Sequence, residues 1–269
     1  MTPAAALLHS SESVLTAGRK APLDLTVFVS CYNEEQYIVA TIDTIRQALK
    51  EVDVSYEIVA VDDCSEDRSS ETIRNYIAAH GDDRIMLRTN RVNRGLAQNY
   101  LDIAFIGRGK YYRLICGDDA EPRETMVAVF RELGQADMII PYYVTSEGKS
   151  LYRRTLSGAY TWLVNMISGF RLRYYNGLAV HLRYNVMRWH PNTRGFGFQA
   201  DIICMLFDQG FTYKELPVKT VERRTGGSSA LSPRNILSVA HTLVDLVFRR
   251  IANRIYRPAV RSDAPFQRR

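Results

Sequence analysis

Cysteine is scarce in this chain of 269 residues: the four, Cys31, Cys64, Cys116 and Cys204, lie far apart and show no paired metal-ligand spacing. That argues against a zinc site and fits a reducing compartment better than a disulfide framework. No run approaches the roughly 20 apolar residues that a membrane-spanning helix needs. Residues 1–22 are rich in Ala, Ser and Thr, but they lack a basic leader and an apolar stretch long enough for a signal peptide. They are expected to form a disordered N-terminal extension. There is no internal repeat and no low-complexity block, so the chain is not a repeat array. Acid is scarce in one half only. Residues 149–269 hold 6 Asp/Glu against 20 Lys/Arg, a net +14, whereas residues 1–148 hold 23 against 15, a net −8. An acidic half followed by a basic one suggests a metal-carrying part joined to a part that faces anions: nucleic acid, phosphorylated small molecules or a membrane surface.

What is present is a strand–helix alternation. Leu25–Ser30, Tyr56–Val61, Ile85–Arg88, Tyr111–Ile115 and Met138–Tyr142 are apolar runs of strand length. Between them, Gln36–Leu49, Ser69–His80, Leu96–Ile106 and Glu124–Leu133 have helical spacing. The pattern predicts an α/β fold with a mostly parallel central sheet flanked by helices and right-handed crossovers. After Val144 the rhythm breaks into Arg and aromatic residues, including Arg171, Arg188, Tyr160, Trp162 and Trp189. A helix at Ala200–Gln209, a strand within Phe211–Glu222 and a long amphipathic helix at Asn235–Tyr256 follow.

Two acidic pairs end strands: Asp62-Asp63 after Tyr56–Val61, and Asp118-Asp119 after the run that ends Ile115-Cys116-Gly117. Adjacent carboxylates at a buried strand end are costly unless a cation sits on them. Open parallel sheets bind ligands beyond their strand C-termini, so the two pairs point to one crevice. Either pair alone is equally an ordinary set of solvated loop acids.

Four segments, in order, resemble the motifs of family 2 glycosyltransferases, which have the GT-A nucleotide-sugar-binding fold. They are Val29-Ser30-Cys31-Tyr32-Asn33-Glu34-Glu35, Glu57 to Asp67, Asn93-Arg94-Gly95-Leu96-Ala97-Gln98-Asn99, and Ile115-Cys116-Gly117-Asp118-Asp119-Ala120-Glu121-Pro122. Two departures stand out: Ser30 replaces the usual proline, and Cys116 takes the place of the first Asp of Asp-x-Asp. A narrower likeness, Gly210 to Val218 followed by Arg223-Arg224-Thr225-Gly226-Gly227-Ser228-Ser229, is to the polyprenyl-phosphate sugar transferases, the group of dolichol-phosphate mannose synthase. Ser229 stands where that group has Lys.

The resemblance implies roles. Asp118 and Asp119 would hold Mg²⁺ or Mn²⁺, hard cations suited to oxygen ligands. Tyr32, Asn33, Glu34, Asp62, Asp63, Arg94 and Gly95 would bind the nucleotide sugar, with Asp63 or Asp62 accepting from the base, Tyr32 stacking on it and Arg94 near the diphosphate. Uridine diphosphate sugars rank ahead of guanosine ones. Asp201 would be the catalytic carboxylate beside Asp118; with a phosphate acceptor, already ionised, it would orient the sugar or acceptor instead. Arg153, Arg154, Arg223, Arg224 and Ser228 would hold the acceptor phosphate. The implied activity is inverting transfer to a polyprenyl phosphate, with a saccharide or protein acceptor in cell-surface glycan synthesis as the alternative.

The Tyr, Trp and Arg mixture suits either single-stranded nucleic acid or a membrane interface. The last helix favours the membrane: Ile236, Ala240, Leu243, Val247, Ile251 and Ile255 form a stripe, with Arg249, Arg250 and Arg254 elsewhere. A dimerisation or core helix with a basic solvated face is the plainer reading, and a homo-oligomer stays open. The expectation is therefore a peripheral enzyme on the cytoplasmic face of a membrane, with no nucleic-acid partner. Its parts are the extension 1–22, a GT-A domain 23–232 (donor half 23–145, acceptor half 146–232) and a basic helix and tail 233–269. A phospho-acceptor signalling domain, the other class that Val61-Asp62-Asp63 suggests, would need a further Asp on the third strand and a later Lys. Here the second acidic pair ends the fourth strand.

Overall fold

The computed structural model describes residues 22–147, 151–190, 197–221 and 233–256. Seven strands form one sheet: β1 (Leu23–Cys31), β2 (Tyr56–Asp62), β3 (Ile85–Thr89), β4 (Gly109–Cys116), β5 (Met138–Glu147), β6 (Val180–Leu182) and β7 (Tyr213–Val221). Their spatial order is β3-β2-β1-β4-β6-β5-β7. β3, β2, β1 and β4 pair in parallel, as do β5 and β7; only β6 runs against its neighbours β4 and β5.

Strand periodicity divides the core in two. Leu25, Val27, Val29, Ile58, Ala60 and Ile115 face one layer, with α1 (Ile38–Lys50), α2 (Ser69–His80) and α4 (Arg123–Arg131). Phe28, Val59, Val61, Tyr112 and Leu114 face the other, with α3 (Leu96–Ile106) and the later helices α5 (Leu151–Ser168), α6 (Arg183–Met187), α7 (Phe198–Asp208) and α8 (Pro233–Tyr256). Every residue of β2 is buried. A strand covered on both faces explains why the sequence there is a continuous apolar run rather than an alternating one.

The α/β fold with a mostly parallel sheet and a C-terminal helix is as expected. Three elements were not: α5, within the Arg and aromatic stretch, the three-residue β6, and the short α6 that follows it. The second is a reversed strand wedged between β4 and β5, so the sheet is not wholly parallel. The extension 1–22 falls outside the described residues except for its last position.

Candidate active site

The loops at the carboxyl ends of β1 and β2 are stitched to each other. Asn33, at φ +56°, donates its backbone N–H to Ser65 Oγ (2.9 Å) and accepts from Glu66 N at its Oδ1 (2.8 Å). The N–H of Glu34 reaches Ser69 Oγ (2.9 Å), and that of Glu35 reaches Asp67 Oδ2 (3.0 Å). Burial pushes the Asp67 carboxyl up, but hydrogen bonds from Ser69 and Glu35 outweigh it and leave the group below its ordinary value. Asn33 is thus a loop clasp. Tyr32 is 46% exposed at the rim, its ring open for stacking.

Asp63 organises the next loop. Its Oδ1 accepts from Asn90 Nδ2 (2.8 Å) and Arg94 N (2.8 Å), and its Oδ2 from Gly95 N (2.8 Å). Gly95 has φ +82°, a left-handed conformation that only glycine adopts at little cost, and it leads directly into α3. Of about four acceptor sites on a carboxylate, one is left for a ligand. Asp62, 2% exposed, accepts from Ser65 N (3.2 Å). The guanidinium of Arg94 is paired with Asp102 (2.9 Å), which also takes Arg88 (3.0 Å) and Gln98 (2.8 Å). The structure therefore gives Asp63 and Arg94 scaffold tasks that the sequence does not announce.

The acidic pair after β4 splits. Gly117 lets the turn close on β1: its N–H reaches Ser30 O (2.8 Å), and a Cβ there would lie 2.8 Å from that same oxygen. Asp119, at φ +50°, turns toward α1, donating its N–H to Thr41 Oγ1 (3.0 Å) and accepting from Thr44 Oγ1 (3.2 Å). Asp118 lines a cleft of about 320 Å³, with Glu121, Tyr143, Asn176, Phe198 and Gln199 among the other walls. Of the expected metal pair, Asp118 lines this cleft and Asp119 is held by Thr41 and Thr44 of α1. Cys116 stands where the first Asp is missing; burial and the charge of Asp118 push its thiol up to about 12. Among the described residues no group of three His, Cys, Asp or Glu can hold a metal. One carboxylate together with substrate phosphate oxygens is nonetheless an ordinary set for Mg²⁺, and Asp118 fits that part.

Arg113, 1% exposed on β4, ties the cleft walls together. It pairs with Glu121 (2.5 Å), and its Nε donates to Leu178 O (3.2 Å). The adjoining Asn176-Gly177 turn packs so close to β5 that a Cβ on Gly177 would lie 1.9 Å from Pro141 O. The turn dipeptide was the one sequence signal for this wall; Tyr143 and Phe198 carry none.

Asp201, expected to be the catalytic carboxylate or to orient the sugar or acceptor, sits in the first turn of α7. Its Oδ2 accepts from Trp189 Nε1 (2.7 Å), and its Oδ1 is ion-paired with Arg249 of α8. Asp201 ties α7 to α8, and Gln199, two residues toward the start of α7, lines the cleft. Of the acceptor candidates, Arg153 and Arg154 lie in the first turn of α5, with side chains outside the described residues. Arg223, Arg224 and Ser228 also lie outside them.

Comparison with known proteins bears on this geometry. The profile described as glycosyl transferase family 2 matches residues 26–190. A dolichyl-phosphate beta-glucosyltransferase of Dictyostelium discoideum is 30% identical over 109 residues, 38% of this chain. The match spans only a third of that relative (33%). Among solved structures, glucosyl-3-phosphoglycerate synthase from Mycobacterium tuberculosis with uridine diphosphate superposes with a TM-score of 0.64 at 17% identity, covering 87% of this chain and 82% of that one. The same synthase with Mn²⁺ and uridine-diphosphate-glucose gives 0.64 at 18% identity, covering 89% and 83%. With Mg²⁺ and uridine diphosphate it gives 0.62 at 18%, again covering 89% and 83%. At such identities the likeness is one of fold.

Proposed function

Because the chain belongs to glycosyl transferase family 2, we propose that it moves a sugar from a nucleotide-diphosphate sugar to a polyprenyl phosphate at the cytoplasmic face of a membrane. The observation that carries this reading is the state of Asp201. An acceptor hydroxyl must lose its proton, which calls for an open base. Both oxygens of Asp201 are taken by Trp189 and Arg249, and Glu121 is paired with Arg113. A phosphate acceptor arrives ionised, so an enzyme so arranged lacks nothing. The Dictyostelium relative, named for dolichyl phosphate, supports the same acceptor class.

The donor is a uridine diphosphate sugar, with guanosine as the second option; the solved neighbours hold uridine diphosphate and support the first. Asp118 faces the cleft where the diphosphate leaves. A divalent cation, Mg²⁺ or Mn²⁺, held there by Asp118 would offset the charge that develops on the leaving group. Tyr32 stacks on the base at the rim, and Asp62 and the remaining acceptor site of Asp63 read its edge. Arg113 ties the Glu121 and Leu178 walls of that cleft together. The acceptor phosphate attacks the anomeric carbon from the face opposite the diphosphate, which inverts the configuration.

The test is a transfer assay with Mg²⁺ or Mn²⁺, labelled nucleotide sugars and polyprenyl phosphate in detergent. Label moving into the organic phase only when the lipid carries its phosphate is the expected outcome. Donor hydrolysis without a lipid product would overturn the acceptor and point to the saccharide or protein alternative.

A further inference from the structure

Helix α8 is docked inside out. At 100° per residue, its inward arc holds Thr242, Leu246, Arg249, Arg250 and Asn253. Thr242 and Leu246 are each 1% exposed. Arg249 is ion-paired with Asp201, while Arg250 and Asn253 hold Asp208 at 2.7 Å and 3.1 Å. Arg250 also lies over the ring of Phe170 (4.6 Å). On the opposite side, Leu237, Val244, Val247, Phe248, Ile251 and Ile255 fall within an arc of roughly 100°, and all of them are exposed, Phe248 by 65%. A helix on a water-soluble body ordinarily does the reverse, burying its aliphatic stripe and showing its cations to solvent.

The neighbouring helix adds to this surface. α5 packs against α8 and presents Leu156, Trp162 and Met166 to the outside, with Trp162 64% exposed. Apolar area on two adjacent helices marks an interaction site rather than scattered exposure. We propose that the outer faces of α5 and α8 form one lipid-docking surface that seats the protein in the interface of an anionic bilayer. The proposal rests on the transferase reading only in that a polyprenyl acceptor lives in such a bilayer. Charge chooses the occupant. Residues 149–269 carry a net +14, so a second copy would set like charge against like, whereas anionic headgroups complement it. An exposed tryptophan such as Trp162 is also a side chain that settles at headgroup depth.

The chain has two tryptophans, and Trp189 is 1% exposed, so a change in emission on adding lipid reports Trp162. The full chain would be titrated with phosphatidylcholine vesicles, with and without phosphatidylglycerol, in the absence of donor and acceptor. A blue shift and co-sedimentation that are stronger with phosphatidylglycerol are expected. Phe248→Glu with Ile251→Glu should weaken vesicle binding about tenfold or more while leaving the melting temperature unchanged. Trp162→Phe should abolish the shift and keep most of the binding. No co-sedimentation with either vesicle would overturn the proposal. So would a blue shift that grows with protein concentration without lipid, accompanied by a dimer mass, since the face would then belong to a second copy. Transfer to detergent-dispersed acceptor is measured separately. Loss of vesicle binding with transfer intact would refute this surface alone, and vesicle binding without transfer would refute the proposed reaction alone.

Discussion

The carboxylates around the donor-half crevice and those beneath helix α8 are used in opposite ways. Around the crevice three of them gather amides and hydroxyls: Asp63 from Arg94 and Gly95, Asp67 from Glu35 and Ser69, Asp119 from Thr44. Those beneath α8 capture its guanidiniums, Asp201 taking Arg249 and Asp208 taking Arg250. Amide bonds of the first kind shape a crevice. Ion pairs of the second kind hold a helix in place, and they turn its apolar side outward. Asp118 belongs to neither set, because it lines the cleft with a single long internal hydrogen bond, from Ala120 N at 3.4 Å.

That exception should give the largest effect. Asp118→Ala is expected to lower metal-dependent turnover by about 100- to 1,000-fold, the size seen when one fixed stabiliser of a leaving charge is removed. The melting temperature should stay near that of the parent, since the side chain supports little else. Turnover within a few-fold of the parent would erase the distinction between Asp118 and the scaffold acids.

The seam between the halves is β6, and it carries a pH signature. His181 lies between Tyr112 on β4 and Met138 on β5, is 1% exposed, and is pushed down to about 4 by burial. In the unfolded chain it protonates near 6.5, whereas in the fold it stays neutral. The unfolded state therefore binds the extra proton first, and stability falls as pH drops from 6.5 to about 4. The full swing is about 3 kcal/mol. Chemical denaturation across that range should show the slope in the parent and lose it in His181→Gln. An equal slope in both would place the titration elsewhere.

The same division explains what the sequence disclosed. In the donor half, Ile38, Ile42 and Ile45 at helical spacing and the apolar run of β2 are local signals, and the elements stand where those signals put them. Asp118 could be picked out because an acid after a buried strand is conspicuous. The fate of Asp119 could not, because it depends on Thr41 and Thr44, more than 70 residues away in the chain. The ion pair of Asp201 was illegible for the same reason, its partner Arg249 lying 48 residues on. The α8 stripe was visible as periodicity. Its direction was not, because periodicity does not say which side meets the body. Helix α5 was hidden by Gly158 and a dense mix of Tyr, Trp and Arg that suits a surface loop as well.

The anchor claim can be broken at Arg249. Arg249→Ala strands the Asp201 charge and should cost about 2 kcal/mol, less than a fully buried pair because Arg249 is 24% exposed. Asp201→Asn keeps one acceptor oxygen and should cost less, with turnover down by less than about tenfold at temperatures where the protein is folded. A general base would behave otherwise. Its loss would lower turnover by about 100- to 10,000-fold without changing stability, and that result for Asp201→Asn would return Asp201 to catalysis and remove the argument for an ionised acceptor.

The smallest effect is expected at Asp119, and it sharpens the comparison most because its neighbour gives the largest. Asparagine tolerates the left-handed backbone at φ +50° and can still accept from Thr44 Oγ1. Asp119→Asn should leave turnover within about threefold, and Thr44→Val should lower stability by about 1 kcal/mol, one hydrogen bond's worth, without altering metal dependence. If Asp119→Asn instead reproduces the loss seen in Asp118→Ala, the two acids act together. The turn would then have to swing Asp119 away from Thr41 and Thr44 when the donor binds, and the split described for the acidic pair would hold only without donor.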